Sequence, residues 1–207
     1  MPKPFSYQIE EWLKKPEPQT LDSLIQAFGE KSFAIMVLLL MFLPALPIPT
    51  AGFSHVFELI VMLLGVELML GRRTVWLPKR WRNRPLGKTM QKKTLPLMVR
   101  RIRWLERYSR PRLGAFINHP FFLRFVGGLF FVLALAAFVV IPGVGLDTLP
   151  AMGAVLIALS LILGDVVLFT IGCIVGAVGL GLVIAAGSLT IHFFERVIHF
   201  IITPHSN

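Results

Sequence analysis

The 207-residue chain has a single cysteine, Cys173, which excludes an intramolecular disulfide, a CxxC redox pair and a cysteine-rich zinc site. Charge is scarce as well: 15% of residues are charged, where soluble domains carry roughly 25%. With 55% apolar residues and a mean hydropathy of +0.72, the composition excludes an ordinary soluble domain. Enzyme signatures are missing too. There is no HExxH, GxSxG, P-loop or GxGxxG, and the histidines at 55, 119, 192, 199 and 205 are scattered. His192 and His199 share a helix face but lie too far apart for a chelating pair on adjacent turns. No catalytic residue, cofactor or metal-ligand set is assigned; a non-enzyme is expected, with a membrane enzyme built from dispersed residues as the alternative. The first 32 residues hold five acids and lack the basic-then-apolar order of a cleaved signal peptide, so uncleaved insertion is expected.

What the chain does have is two long apolar blocks. Phe33 to Gly71 carries only Glu58 and Glu67 as charges, and Phe125 to Thr190 only Asp147 and Asp165; runs of about 18 such residues read as membrane spans. Ahead of them, Thr20 opens a helix with Leu21, Leu24, Ile25 and Phe28 at helical spacing and Gly29 as a stop, placed at the membrane surface.

Both blocks are broken by proline. Phe33 to Leu43 would reach ~16 Å as a helix, about half of a ~30 Å bilayer core, before Pro44, Pro47 and Pro49 interrupt it. Phe53 to Gly71 is then helical again, so the block is either a full hairpin or a re-entrant element followed by a span. A shift of 98 residues sets Pro44 on Pro142 and Glu67 on Asp165. Paired breaks of this kind mark substrate sites in internally repeated transporters; chance similarity of hydropathy is the alternative. Val166 to Thr190 adds a glycine-rich segment in which Gly172 and Gly176 form a GxxxG suited to close approach by a helix, within the chain or across a homodimer. The bland reading is that glycine is simply frequent in membrane helices. A short interfacial helix around His192 to Phe200 closes the pattern.

Positive charge is concentrated elsewhere. Arg72 to His119 holds 15 of the 21 Lys and Arg against one acid, Glu106, so this segment is expected on the cytoplasmic side. It contains a Trp76 to Pro85 basic-aromatic cluster and a helix from Leu95 to Tyr108 with Leu95, Met98, Val99, Ile102, Leu105 and Tyr108 on one face. Arg100, Arg101, Arg103 and Arg107 fall largely elsewhere. Such a helix suits the headgroup layer, each basic residue contributing on the order of 1 kcal/mol against anionic membrane lipids; Arg72 and Arg73 join the same anionic-lipid set. Fixing topology alone, binding a specific anionic ligand and docking a cytoplasmic partner all fit these charges. No nucleic-acid partner is expected, because no nucleic-acid fold accompanies them.

The acids inside apolar blocks need explanations. Glu67 and Asp165 lie near cytoplasmic ends, where they could snorkel or pair with Arg72, Arg73 or Arg124. Asp147 could cap the helix opened by Pro150. The sharper alternative is that the two broken stretches, 44–54 and 142–150, face each other around a polar cavity of Ser54, His55, Glu58 and Asp147, with Glu67 and Asp165 as further candidates. There a carboxylate or histidine could bind or relay a proton.

Four strings in order, Leu46-Pro-Ile-Pro-Thr-Ala-Gly-Phe-Ser54, Leu70-Gly-Arg-Arg-Thr-Val-Trp-Leu-Pro78, Leu105-Glu-Arg-Tyr-Ser-Arg-Pro-Arg112, and Ile141-Pro through Thr148-Leu-Pro-Ala to Asp165, resemble the ExoD family of bacterial exopolysaccharide-synthesis membrane proteins. The resemblance runs from about Thr20 to Leu189. Asp147 stands where the family pattern has asparagine and Glu67 where it has glutamine, and Gly164-Asp165-Val166 lacks the usual flanking Glu-Arg and Gly. The resemblance implies an inner-membrane protein that supports exopolysaccharide production, and it carries no assigned reaction.

The expected fold is an all-α polytopic integral membrane protein of four to five spans, with two Pro-broken helix pairs forming a weak internal repeat. Its organisation runs as N-terminal interfacial helices (1–32), a first membrane pair (33–71), the basic amphipathic segment (72–120), a second pair with the glycine-rich span (121–190) and an interfacial tail (191–207). Expected partners are membrane lipids, a second copy in a homodimer and cytoplasmic polysaccharide-synthesis proteins. The expected role is transporter-like handling of an anionic or lipid-linked species; the alternative is a scaffold acting through Trp76 to Arg112.

Overall fold

A computed structural model describes residues 4–14, 19–46, 54–72, 74–76, 95–107, 109, 119–140 and 145–202, the side chains of residues 30, 97, 98 and 190–202 excepted. Among them all regular elements are helices: α1 (Phe5–Leu13), α2 (Leu21–Phe28), α3 (Ser32–Met41), α4 (Ser54–Met69), α5 (Leu95–Glu106), α6 (Pro120–Val139), α7 (Thr148–Leu163) and α8 (Val166–Ile202), with a 3₁₀ turn at Gly29–Lys31. Pro47, Pro49, Pro142 and Arg73 lie outside the described residues.

Local chemistry sets the helix ends. Thr20 caps α2 through a reciprocal box with Ser23, both bonds at 3.1 Å, and Gly29 stops the helix at φ 52°. The chain leaves α3 at Met41, three residues before Pro44, as a proline break requires. Pro120 opens α6 in its first turn, where a missing N–H costs nothing. Gly164, left-handed at φ 73°, ends α7, and Asp165 at once starts α8 by accepting the Val167 N–H at 2.8 Å. That reversal needs only two residues.

Two antiparallel pairs form the body. Helix α4 packs along α6, and α7 along α8; α3 lies against α7 and α4, and α6 also touches α7. Both pairs cross on glycine. A Cβ on Gly127 would fall 2.7 Å from the Gly65 carbonyl oxygen and the Met69 nitrogen, and one on Gly153 would fall 2.5 Å from the Gly176 Cα. Gly172 abuts Ile157, and Gly179 abuts Pro150. The two glycines of the α8 GxxxG therefore make close approaches within the chain, Gly172 to Ile157 of α7 and Gly176 to Gly153 of α7 and Leu133 of α6.

Burial sorts the helices into inner and outer. Residues Phe33 to Leu39 and Met41 of α3 are buried, as is most of α7 from Pro150 to Ile162. The outer helices expose Val56, Leu59 and Leu63 on α4, Phe121, Phe125 and Val139 on α6, and Val167, Ile171, Ile174 and Val178 on α8. A surface of this kind is stable against lipid tails and a liability in water. Pro120–Val139 and Val166–Leu189 are long and apolar enough to cross a bilayer, whereas α3 and α7 are shorter apolar helices. These observations associate the protein with a membrane.

Three expectations are corrected. The second broken stretch does not run to Pro150 and the helix is not opened there: α7 opens at Thr148 and Pro150 sits inside its first turn, where its nitrogen has no helical acceptor to lose. The segment after Thr190 is not a separate interfacial helix, because the backbone of α8 continues to Ile202. The apolar face of α5 does not lie open to lipid. Leu95, Val99 and Ile102 are buried, and α5 packs on α1, whose Phe5, Ile9 and Trp12 are buried in turn. The N-terminal helix offers an apolar face that lipid would otherwise have to supply.

Candidate functional site

Because α4 runs antiparallel to α6 and α3 antiparallel to α7, the C-termini of α3 and α6 and the N-termini of α4 and α7 share one end of the body. The helix ends that flank both proline breaks are therefore at this end, opposite α5 and its arginines. The opposite end carries Gly71, Arg124 and the α1–α5 pair; the Arg124 guanidinium reaches 3.2 Å from the Cβ position of Gly71.

At the far end the first turn of α4 presents Ser54, His55 and Glu58. The i,i+3 spacing stacks the last two on one face, and His55 Nδ1 meets Glu58 Oε2 at 2.6 Å. Glu58 is fully buried while the His55 side chain is 25% exposed, so the imidazole is the route from water to the carboxyl. Glu58 Oε1 has no hydrogen-bond partner among the described residues, although Ser54 lies near the carboxyl. The Phe138 ring of α6 covers the imidazole at 5.2 Å between centroids. Asp147, at the start of α7, is near enough for its charge to act on Glu58. Three sequence candidates, Ser54, His55 and Glu58, thus share the first turn of α4, and Asp147 at the start of α7 lies within electrostatic range of Glu58.

Glu67 and Asp165 are not part of this cluster, which corrects their assignment to the cavity. Glu67 sits one turn from the opposite end of α4 and accepts the Trp76 backbone N–H at 2.9 Å. Asp165 Oδ1 caps α8. Asp147, expected to be a helix cap, holds the cap position of α7 with helical dihedrals, φ −66° and ψ −25°, and makes no side-chain cap bond. A cap side chain reaches the first-turn N–H groups from extended backbone, so this aspartate is left for the cluster.

At the basic end Arg72, Arg100, Arg101, Arg103 and Arg107 are exposed. Arg103 pairs with Glu10 of α1, and Glu106 accepts the Ser6 N–H at 2.9 Å, so the two charged contacts fasten α5 to α1 and leave the remaining arginines outward. Lys31 was not marked by any sequence signal. Its ammonium lies 5.7 Å from the Phe5 ring centroid and donates to the Ile162 carbonyl at 3.2 Å, tying α3 to the end of α7. Burial of the ammonium pushes its pKa below the ordinary lysine value, and the Glu106 carboxylate pulls partly the other way. Phe138 was missed as well, since one phenylalanine in an apolar run carries no signal.

Among the described residues no three His, Cys, Asp or Glu side chains converge as a metal-ligand set. What the far-end cluster can do is hold and exchange a proton and present polar atoms inside an apolar body.

Comparison with known proteins bears on what this serves. The family described as "Exopolysaccharide synthesis, ExoD" matches residues 5–185. An uncharacterized Synechocystis protein is 27% identical over 150 residues, covering 71% of this chain and 70% of that protein. Protein ExoD of Rhizobium meliloti is 30% identical over 150 residues, covering 70% of this chain but 61% of its own length. No solved structure matches.

Proposed function

Since the chain belongs to the ExoD family of exopolysaccharide-synthesis proteins, we propose that it is a multi-pass inner-membrane protein that handles an anionic or lipid-linked species of polysaccharide assembly at the far-end cluster. The basic segment is cytoplasmic by the distribution of Lys and Arg; α4, α6, α7 and α8, with the half-length α3, are the membrane segments. A weak internal repeat relates α3–α4 to α6–α7. Its support is the cross-pairing, in which the first helix of each unit packs on the second helix of the other.

The observation carrying this reading is the His55–Glu58 pair at 2.6 Å, with Asp147 contributed by the second break. A buried carboxylate in an apolar body is expensive, and such groups commonly line pathways for ions or substrates. The chain carries no catalytic motif, so the role is read as non-enzymatic. Glu58→Gln and His55→Ala, expressed at wild-type level in a strain lacking the gene, are expected to lower exopolysaccharide several-fold. Wild-type output from both, or purified protein in liposomes with neither flux nor ligand-induced stabilisation, would sink the transporter reading.

One observation favours a second reading, a scaffold for cytoplasmic synthesis enzymes. Because α1 covers the apolar face of α5, the arginine face of α5 projects from a folded platform and suits an acidic protein surface or anionic headgroups. Replacing Arg100, Arg101 and Arg107 by Gln tests it: unchanged polysaccharide output rules the scaffold out.

A further inference from the structure

We infer that His55 and Glu58 form a proton-relay site, loaded from the far end, whose occupancy decides whether an anion can approach the first turn of α4. This deepens the proposed handling of an anionic species and rests on it for the anion. The relay stands on geometry alone. An Nδ1···Oε2 separation of 2.6 Å holds a proton between the two atoms, because two bare acceptors repel at that distance. The imidazole is part-exposed and the carboxyl fully buried, so exchange with water runs through the ring. Glu58 Oε1 is buried as well, with the Ser54 side chain near the carboxyl.

The transfer balances. His55 Nε2 takes a proton from hydronium, which leaves as water, the Nδ1–H bond breaks and an O–H bond forms at Glu58 Oε2. The ring ends neutral in its other tautomer, and the site has gained one proton. The charged or titratable groups facing Glu58 are His55 on its own helix and Asp147 on α7; the far-end residues of α3 and α6 that the structure describes are apolar. Two carboxylates, with no cation facing them among the described residues, repel an anion, and proton uptake at Glu58 weakens the repulsion. An anion handled here is therefore accompanied by a proton, which makes the proton the coupling ion.

Dicyclohexylcarbodiimide tests the site in the purified full-length protein, since it adds a protonated carboxyl across its C=N bond and spares the carboxylate. Peptide mass spectrometry is expected to find the adduct on Glu58, falling by about threefold or more between about pH 6 and about pH 8, unchanged when sodium chloride replaces choline chloride, and weaker on Glu67. In His55→Gln the response of Glu58 labelling to pH is expected to shift, the labelling rate at a given pH changing about threefold or more, because the imidazole no longer shares the proton. Glu58 left unlabelled while another carboxyl reacts, labelling indifferent to pH, protection by sodium, or an unaltered response in His55→Gln would each overturn the relay. Liposomes without flux, alongside normal Glu58 labelling, would instead remove the transport reading and leave the relay intact.

Discussion

Asp147 and Asp165 both precede an apolar helix, yet they act differently. Asp165 turns its Oδ1 onto the Val167 and Leu168 N–H groups at 2.8 and 3.4 Å. Asp147, already in helical dihedrals, makes no side-chain cap bond to its own helix and adds its charge to the Glu58 cluster. From residue types alone the two were indistinguishable, because capping depends on the backbone angle at one position and aspartate tolerates several. The consequence is measurable. Asp165→Ala is expected to lower stability in detergent by ~1 kcal/mol and Asp165→Asn to retain most of it, whereas Asp147→Ala leaves the thermal midpoint nearly unchanged while altering polysaccharide output. A loss of stability at 147 as large as that at 165 would make Asp147 structural.

For the helices as elements, close approach on glycine decides which faces meet. In lipid there is no hydrophobic drive between apolar helices, so packing contact has to supply the association. Neighbouring glycines on α6 separate this effect from simple composition. Gly127→Ala would drive a Cβ to 2.7 Å from backbone atoms of α4, while a Cβ at Gly128 meets nothing within 4 Å. Gly127→Ala is expected to cost ~1–3 kcal/mol, and Gly128→Ala to be neutral or to gain up to ~1 kcal/mol from helix propensity. Thermal unfolding of both variants in one detergent checks this; equal midpoints would mean that the α4–α6 crossing is loose. The GxxxG of α8 was legible as a packing motif, but its partner was not. Gly65 stands alone on α4 and Gly127 is one of an adjacent pair on α6, and nothing in either neighbourhood announces the other.

For the molecule as a whole, two short buried helices, α3 and α7, are flanked by longer or more exposed ones, with the helix ends beside both breaks at one end and the arginine-bearing α5 at the other. This arrangement has a topological test. With Cys173 replaced by Ala, Arg101→Cys is expected to react with an impermeant thiol reagent from the cytoplasmic side and Asp147→Cys from the opposite side; reaction of both from one side would contradict it. Much of this plan was readable in advance. Hydropathy, proline, glycine and capping residues act within a few positions along the chain, so the membrane character, the helix from Thr20, the end of α3 before Pro44 and the concentration of positive charge followed from sequence by itself. What required the tertiary structure was every pairing over distance. Examples are α1 covering the apolar face of α5, Gly65 meeting Gly127, Lys31 reaching the Ile162 carbonyl, and Asp147 falling within electrostatic range of Glu58 while Glu67 and Asp165 fall at the other end. An amphipathic face states that it must be covered, and a carboxylate that it needs partners. Which groups supply them depends on how the helices cross, and that is set by steric fit between segments remote in sequence.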